Sequence, residues 1–161
     1  MRNTFMGAVL LAAAPIALTA CSETADAPAA PADGNKIAGM EVTDARLVLP
    51  PVSGNPAAIY FTLANRGERS VTIRNAEVAG AARAEMHETI MQGDKMVMGE
   101  GHPFTLQAGE SIEFAPGGRH VMVFDLDEAI AAGTATEVTL VAAGGKRHSF
   151  EVTAQTAGDD R

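Results

Sequence analysis

At 161 residues the chain has the length of one domain, and 47% hydrophobic residues suffice for a core, although aromatics make up only 4% and tryptophan is absent. Twelve basic against twenty acidic side chains give a formal net charge of −8, which excludes the basic footprint that nucleic-acid binding needs. The single cysteine excludes a framework of internal disulfides.

Residues 1–20 carry Arg2 and then an apolar run from about Met6 to Ala20, too short for a membrane span and read as a secretory signal peptide. The run ends in Leu18-Thr19-Ala20-Cys21, which resembles a bacterial lipobox. On that reading Cys21 is acylated and anchors the chain to a membrane, since two or three acyl chains hold stably. The alternative is an ordinary signal with a chance or core cysteine. Residues 21–36 add Ala, Pro, Asp and Gly with almost no large apolar residue, and read as a flexible tether. The expected location is the cell envelope, facing the periplasm.

From Ile37 to residue 153 the chain breaks into short alternating runs separated by turn signals. Strands are expected over Met40–Val48, Ala58–Leu63, Ser70–Val78, Ala82–Ile90, Lys95–Met98, His120–Leu126, Glu137–Val141 and His148–Val152, with the short runs Phe104–Leu106 and Ser111–Phe114 between the fifth and sixth. Gln92-Gly93-Asp94 reads as a hairpin turn. Only Asp127 to Ala132 suits a helical turn, and residues 154–161 read as a disordered tail. Seven to nine short strands indicate an all-β sandwich or small barrel, most simply with Greek-key connections.

Between Glu85 and Asp125 lie three of the four histidines and five of the eight methionines. The spacing is His87, ten residues, Met98, twenty-one residues, His120, one residue, Met122. In strands, residues i and i+2 share a face, so His120 and Met122 point together and Val121 and Val123 point away. The same rule pairs Met96 with Met98 and His87 with Met91. Met86 falls on the core side.

Two imidazoles and two thioethers suit Cu(I), because thioether sulfur is soft and neutral. Zinc prefers His, thiolate and carboxylate; magnesium and calcium prefer oxygen. A blue-copper electron-transfer site requires a thiolate that this domain lacks. Neutral ligands leave the ion's charge uncompensated, which fits a carrier. Met96 and Met91 are possible accessory ligands; His102 is read as a loop residue and His148 as lying on a solvated strand face. Arg119 and Glu88 border the site and suit partner contact. The competing reading is packing, since Met commonly fills cores and His is commonly structural.

The pattern H-x10-M-x21-H-x-M resembles the signature of the periplasmic copper chaperone family PCu(A)C, at His87, Met98, His120 and Met122. Ala84-Glu85-Met86-His87-Glu88, Gly109-Glu110 and Pro116-Gly117-Gly118-Arg119-His120-Val121-Met122 are similar to that family's flanking text. So are Ala57-Ala58-Ile59-Tyr60-Phe61 and Asn65-Arg66-Gly67. The resemblance implies a cupredoxin-like β-barrel, Cu(I) bound by those four residues, and a recipient such as a cytochrome c oxidase subunit. The tail AQTAGDDR lacks the His/Met-rich extension by which some members also hold Cu(II).

Two other functions compete with copper delivery: copper sequestration, and a non-metal envelope interaction module whose His and Met residues are buried apart. An enzyme is not expected, as neither a G-x-S-x-G nor an H-E-x-x-H motif is present.

Overall fold

The computed structural model describes residues 35–158; the expected signal peptide, Cys21 and most of the tether lie outside the described residues. In chain order the strands are β1 (Met40–Leu49), β2 (Ala57–Asn65), β3 (Val71–Val78), β4 (Ala81–Gln92), β5 (Lys95–Glu100), β6 (Phe104–Leu106), β7 (Ser111–Phe114), β8 (His120–Leu126), β9 (Ala135–Ala142) and β10 (Arg147–Thr156). Among the described residues these ten exceed the expected seven to nine because both of the shortest runs find an edge to pair with, β6 on β3 and β7 on β2.

The sheet order is β5-β4-β8-β2-β1-β10-β9-β3-β6, with β7 also on β2. Strands distant in sequence are therefore neighbours, as the crossovers of a Greek key require. β3 and β4 lie near opposite ends of this order yet are joined only by Ala79-Gly80, so the sheet curls and its apolar faces enclose one core. Alternate residues supply that core: Leu47, Ile59, Phe61, Leu63, Val121, Val123, Val138, Leu140 and Val152 are all buried. Phe61 stacks on Phe114 with ring centroids 4.3 Å apart. Each such side chain contributes about 1.5–3 kcal/mol when fully buried.

Three local expectations change. Asp127 to Ala132 forms turns rather than a helical turn: the Asp127 carboxylate accepts the Ala129 N–H, 2.9 Å away, which competes with helical pairing. Among the described residues the one helical segment is a 3-10 turn at Ala143–Gly145, between β9 and β10. The tail expected from residue 154 begins later, because β10 continues to Thr156. Ala154 is buried there, and Gln155 and Thr156 pair with Val48 and Leu49 of β1.

Two polar anchors fix the loops. Asn65, fully buried, donates from Nδ2 to the carbonyls of Arg69 (2.8 Å) and Leu106 (3.1 Å), and its Oδ1 accepts the Gly67 N–H (3.0 Å). Close by, with Ile37 and Gly67 lining one cleft, residues 35–37 are strapped to β10. Ser149 N–H donates to Asn35 O (2.7 Å), Lys36 Nζ to Ser149 O (2.9 Å), and Ile37 N–H to His148 Nδ1 (3.1 Å).

Candidate metal centre

The face that matters lies on β5, β4 and β8, at one end of the sheet order. β4 and β5 form the expected hairpin, pairing Gln92 with Lys95 across Gly93-Asp94, and Gly93 supplies the positive φ of 65° that so tight a turn needs. β4 pairs with β8 so that His87 stands opposite His120 and Glu85 opposite Met122. Val121 and Val123 are fully buried on the other side, as the period of two requires.

The imidazoles of His87 and His120 lie 5.8 Å apart, centroid to centroid, at 39°. His120 is buried, and its Nδ1 is 3.0 Å from the Gly118 carbonyl. A carbonyl only accepts, so Nδ1 carries the hydrogen and Nε2 keeps its lone pair. His87 is held the other way round. Its Nε2 is 3.1 Å from Glu85 Oε2, and the ionised carboxylate accepts that N–H. The lone pair is then on His87 Nδ1, which is buried and has no hydrogen-bond partner among the described residues. A buried acceptor without a donor costs free energy unless something else occupies it. A metal ion is one such occupant.

The methionines hold ladder positions near these residues. Met122 is two residues from His120 on β8 and opposite Glu85 on β4; Met98 is opposite Thr89, diagonal to His87. Met96 lies two residues further out on β5, and Met91 holds the ladder position across from it. Met86 is buried in the core. The structure thus brings His87 and His120 together, with Met122 and Met98 at neighbouring ladder positions, rather than burying the four apart. His102 is an exposed residue of the β5–β6 connection. The expectation for His148 is overturned. It is buried, its Nδ1 accepts from Ile37, and burial holds its pKa below the ordinary value. Its strand position turns it inward, where a backbone N–H needs an acceptor.

Polar neighbours organise the face. Arg83 pairs with Glu85 (2.9 Å) and lies over the Phe124 ring (4.2 Å), so the carboxylate that holds His87 is itself held. Phe124 and Tyr60 flank the histidines, at 6.4 Å from His87 and 6.3 Å from His120. Arg119 grips Glu88 with both ends of its guanidinium, at 3.0 and 3.2 Å, and lies over Phe104. Sequence reasoning placed Arg119 and Glu88 beside the site but did not pair them, and it passed over Glu85. The signal for Glu85 was its i, i+2 spacing to His87 on a strand.

Among the described residues no three His, Cys, Asp or Glu side chains converge to hold a metal ion. What this face offers is two imidazole lone pairs and a row of thioethers, a soft, neutral set. The cleft of about 410 Å³ lined by Pro50, Asn55, Asp125 and Asp127 contains neither His nor Met.

Residues 40–154 match the family described as "Putative lipoprotein LpqE-like". The chain belongs to the LpqE-like family. It is 30% identical to "Putative lipoprotein Lxx21020" of Leifsonia xyli subsp. xyli over 141 residues, which is 87% of this chain and 80% of that protein. The LpqE-like fold is also that of solved PCuAC domains. A copper-bound PCuAC domain from PmoF2 superposes with a TM-score of 0.60 at 19% identity, covering 73% of this chain and 93% of that one. The solution structure of CuI-DR1885 from Deinococcus radiodurans gives 0.55 at 23% identity, covering 87% and 89%. The cupredoxin-like β architecture that the resemblance implies is therefore the fold of this LpqE-like chain.

Proposed function

We propose that this LpqE-like protein is an extracytoplasmic Cu(I) carrier, held to a membrane through acylated Cys21, with His87, Met98, His120 and Met122 as its ligands. The observation that carries the reading is the pair of facing imidazoles, whose hydrogen bonds leave His120 Nε2 and a buried His87 Nδ1 free for a metal. Two neutral nitrogens and two neutral sulfurs stabilise the monovalent ion without binding it irreversibly. The copper-bound PCuAC structures of the same fold support the choice of metal. The lipobox-like sequence before Cys21 and the lipoprotein names of the family and its relative support the anchor.

Titration of the purified protein with Cu(I) against a competing chelator, under reducing conditions, tests this. About one Cu(I) per chain is expected, with two sulfur and two nitrogen neighbours by X-ray absorption. Undiminished affinity after replacing both His120 and Met122 by Ala would sink the assignment, as would a shell of oxygen and nitrogen alone. The recipient we favour is the copper centre of cytochrome c oxidase or another envelope cuproprotein. Deleting the gene separates delivery, which leaves oxidase assembly impaired, from sequestration, which leaves only copper sensitivity. Cys21→Ala should release the protein from the membrane fraction.

A further inference from the structure

We propose that Met96, outside the four-residue set, is a transfer ligand: an outer thioether that takes Cu(I) from, or passes it to, the partner at the rim of the sheet. This rests on the Cu(I) reading above. Four methionines of this domain divide by burial. Met40 and Met86 are buried and fill the core, the usual use of a flexible apolar side chain. Met96 and Met98 are 65% and 55% exposed, so core packing accounts for neither.

Both lie on β5, an edge strand among the described residues, where an incoming protein meets no other strand first. They are separated by two positions and so share a face. The ladder sets that face, because Met98 is opposite Thr89 and Glu100 is opposite His87. Running outward from the imidazoles, the donors are therefore His87, then Met98, then Met96. The strand rise between the two methionines is about 6.6 Å, a gap that two unbranched side chains can close around one ion. Glu100, exposed on the same face, adds a negative charge that favours a cation there.

The step is ligand exchange. A Cu(I)–sulfur bond to Met96 forms as a bond to an inner ligand breaks; the ion stays monovalent, and no proton moves because thioethers do not titrate. Such a ligand lowers the barrier in both directions equally. It changes how fast copper enters and leaves, while the resting affinity stays as the inner four residues set it.

The test is stopped-flow transfer of Cu(I) from the loaded, purified protein to excess bicinchoninate, with Met96→Leu as the variant. Leucine keeps the apolar bulk and removes only the sulfur. Transfer about tenfold slower is expected, with equilibrium affinity unchanged, so that uptake slows by the same factor as release. Val97→Ser, on the opposite face of β5, should leave both rates alone. Wild-type rates in Met96→Leu would overturn the proposal. So would a fall in equilibrium Cu(I) affinity, since Met96 would then be a resting ligand. A wild-type protein that takes up no Cu(I) fails at the titration itself, which identifies the Cu(I) reading as the point of failure.

Discussion

At the scale of single residues, the two histidines are complementary. A backbone carbonyl fixes one ring by its Nδ1, and a carboxylate fixes the other by its Nε2, so different nitrogens are left for a ligand. Groups that hold a ligating histidine in this way typically contribute 10–100-fold in metal affinity. Glu85→Ala is therefore expected to weaken Cu(I) binding by about tenfold in a competition titration. Glu85→Gln should lose less, since an amide oxygen still accepts the N–H. Affinity equal to wild type in Glu85→Ala would remove Glu85 from the site. Glu85 was readable in principle, but a carboxylate two residues before a histidine is common on solvated strands. Only the contact itself, together with the orphaned Nδ1 beside it, separates the two meanings.

At the scale of elements, the hairpin of β4 and β5 differs from the rest of the sheet. All six residues of β5 are exposed, and so is Ile90 of β4, paired with Val97 across the hairpin. With one neighbouring strand and little burial, β5 should open locally at low cost. Its amides are expected to exchange with deuterium faster than those of β2, which lies between β1 on one side and β7 and β8 on the other. Cu(I) should slow β5 most. The opposite constraint holds where the chain crosses itself at Gly39, whose φ is +82° and where a Cβ would sit 2.5 Å from the Gly67 backbone. Gly39→Ala is expected to cost about 2–4 kcal/mol in denaturant unfolding. The strands themselves were legible because alternation is local: β2 and β8 read directly from Ala58–Leu63 and His120–Leu126. Their order was not, because nothing near Met40 announces that β1 will pair with Arg147–Thr156.

At the scale of the whole molecule, pH acts through His148. Burial first, and the Lys36 charge second, push its folded pKa below the ordinary 6.5. Between those two values the unfolded chain binds a proton that the native protein does not, so stability falls as pH drops below about 6.5. Above that pH the contribution is fully present. Melting temperature should therefore decline from pH 7.5 towards about pH 5.5, and His148→Gln, which still offers an acceptor to Ile37 N–H but does not titrate, should reduce the decline. A solvated His148 would have produced no such effect. Its burial was hidden because the acceptor it provides serves a residue more than a hundred positions away.

The parallel pairing of β1 with β10 carries one more consequence, about the order in which the chain is made. A ribosome delivers Met40–Leu49 long before Arg147–Thr156, so β1 waits with one edge open through most of synthesis. Such non-local pairing forms late, after the loop between its partners has been closed. A chain released anywhere short of β10 keeps that edge bare and lacks the β10 partners that strap residues 35–37, so limited proteolysis is expected to cut it faster than the finished chain.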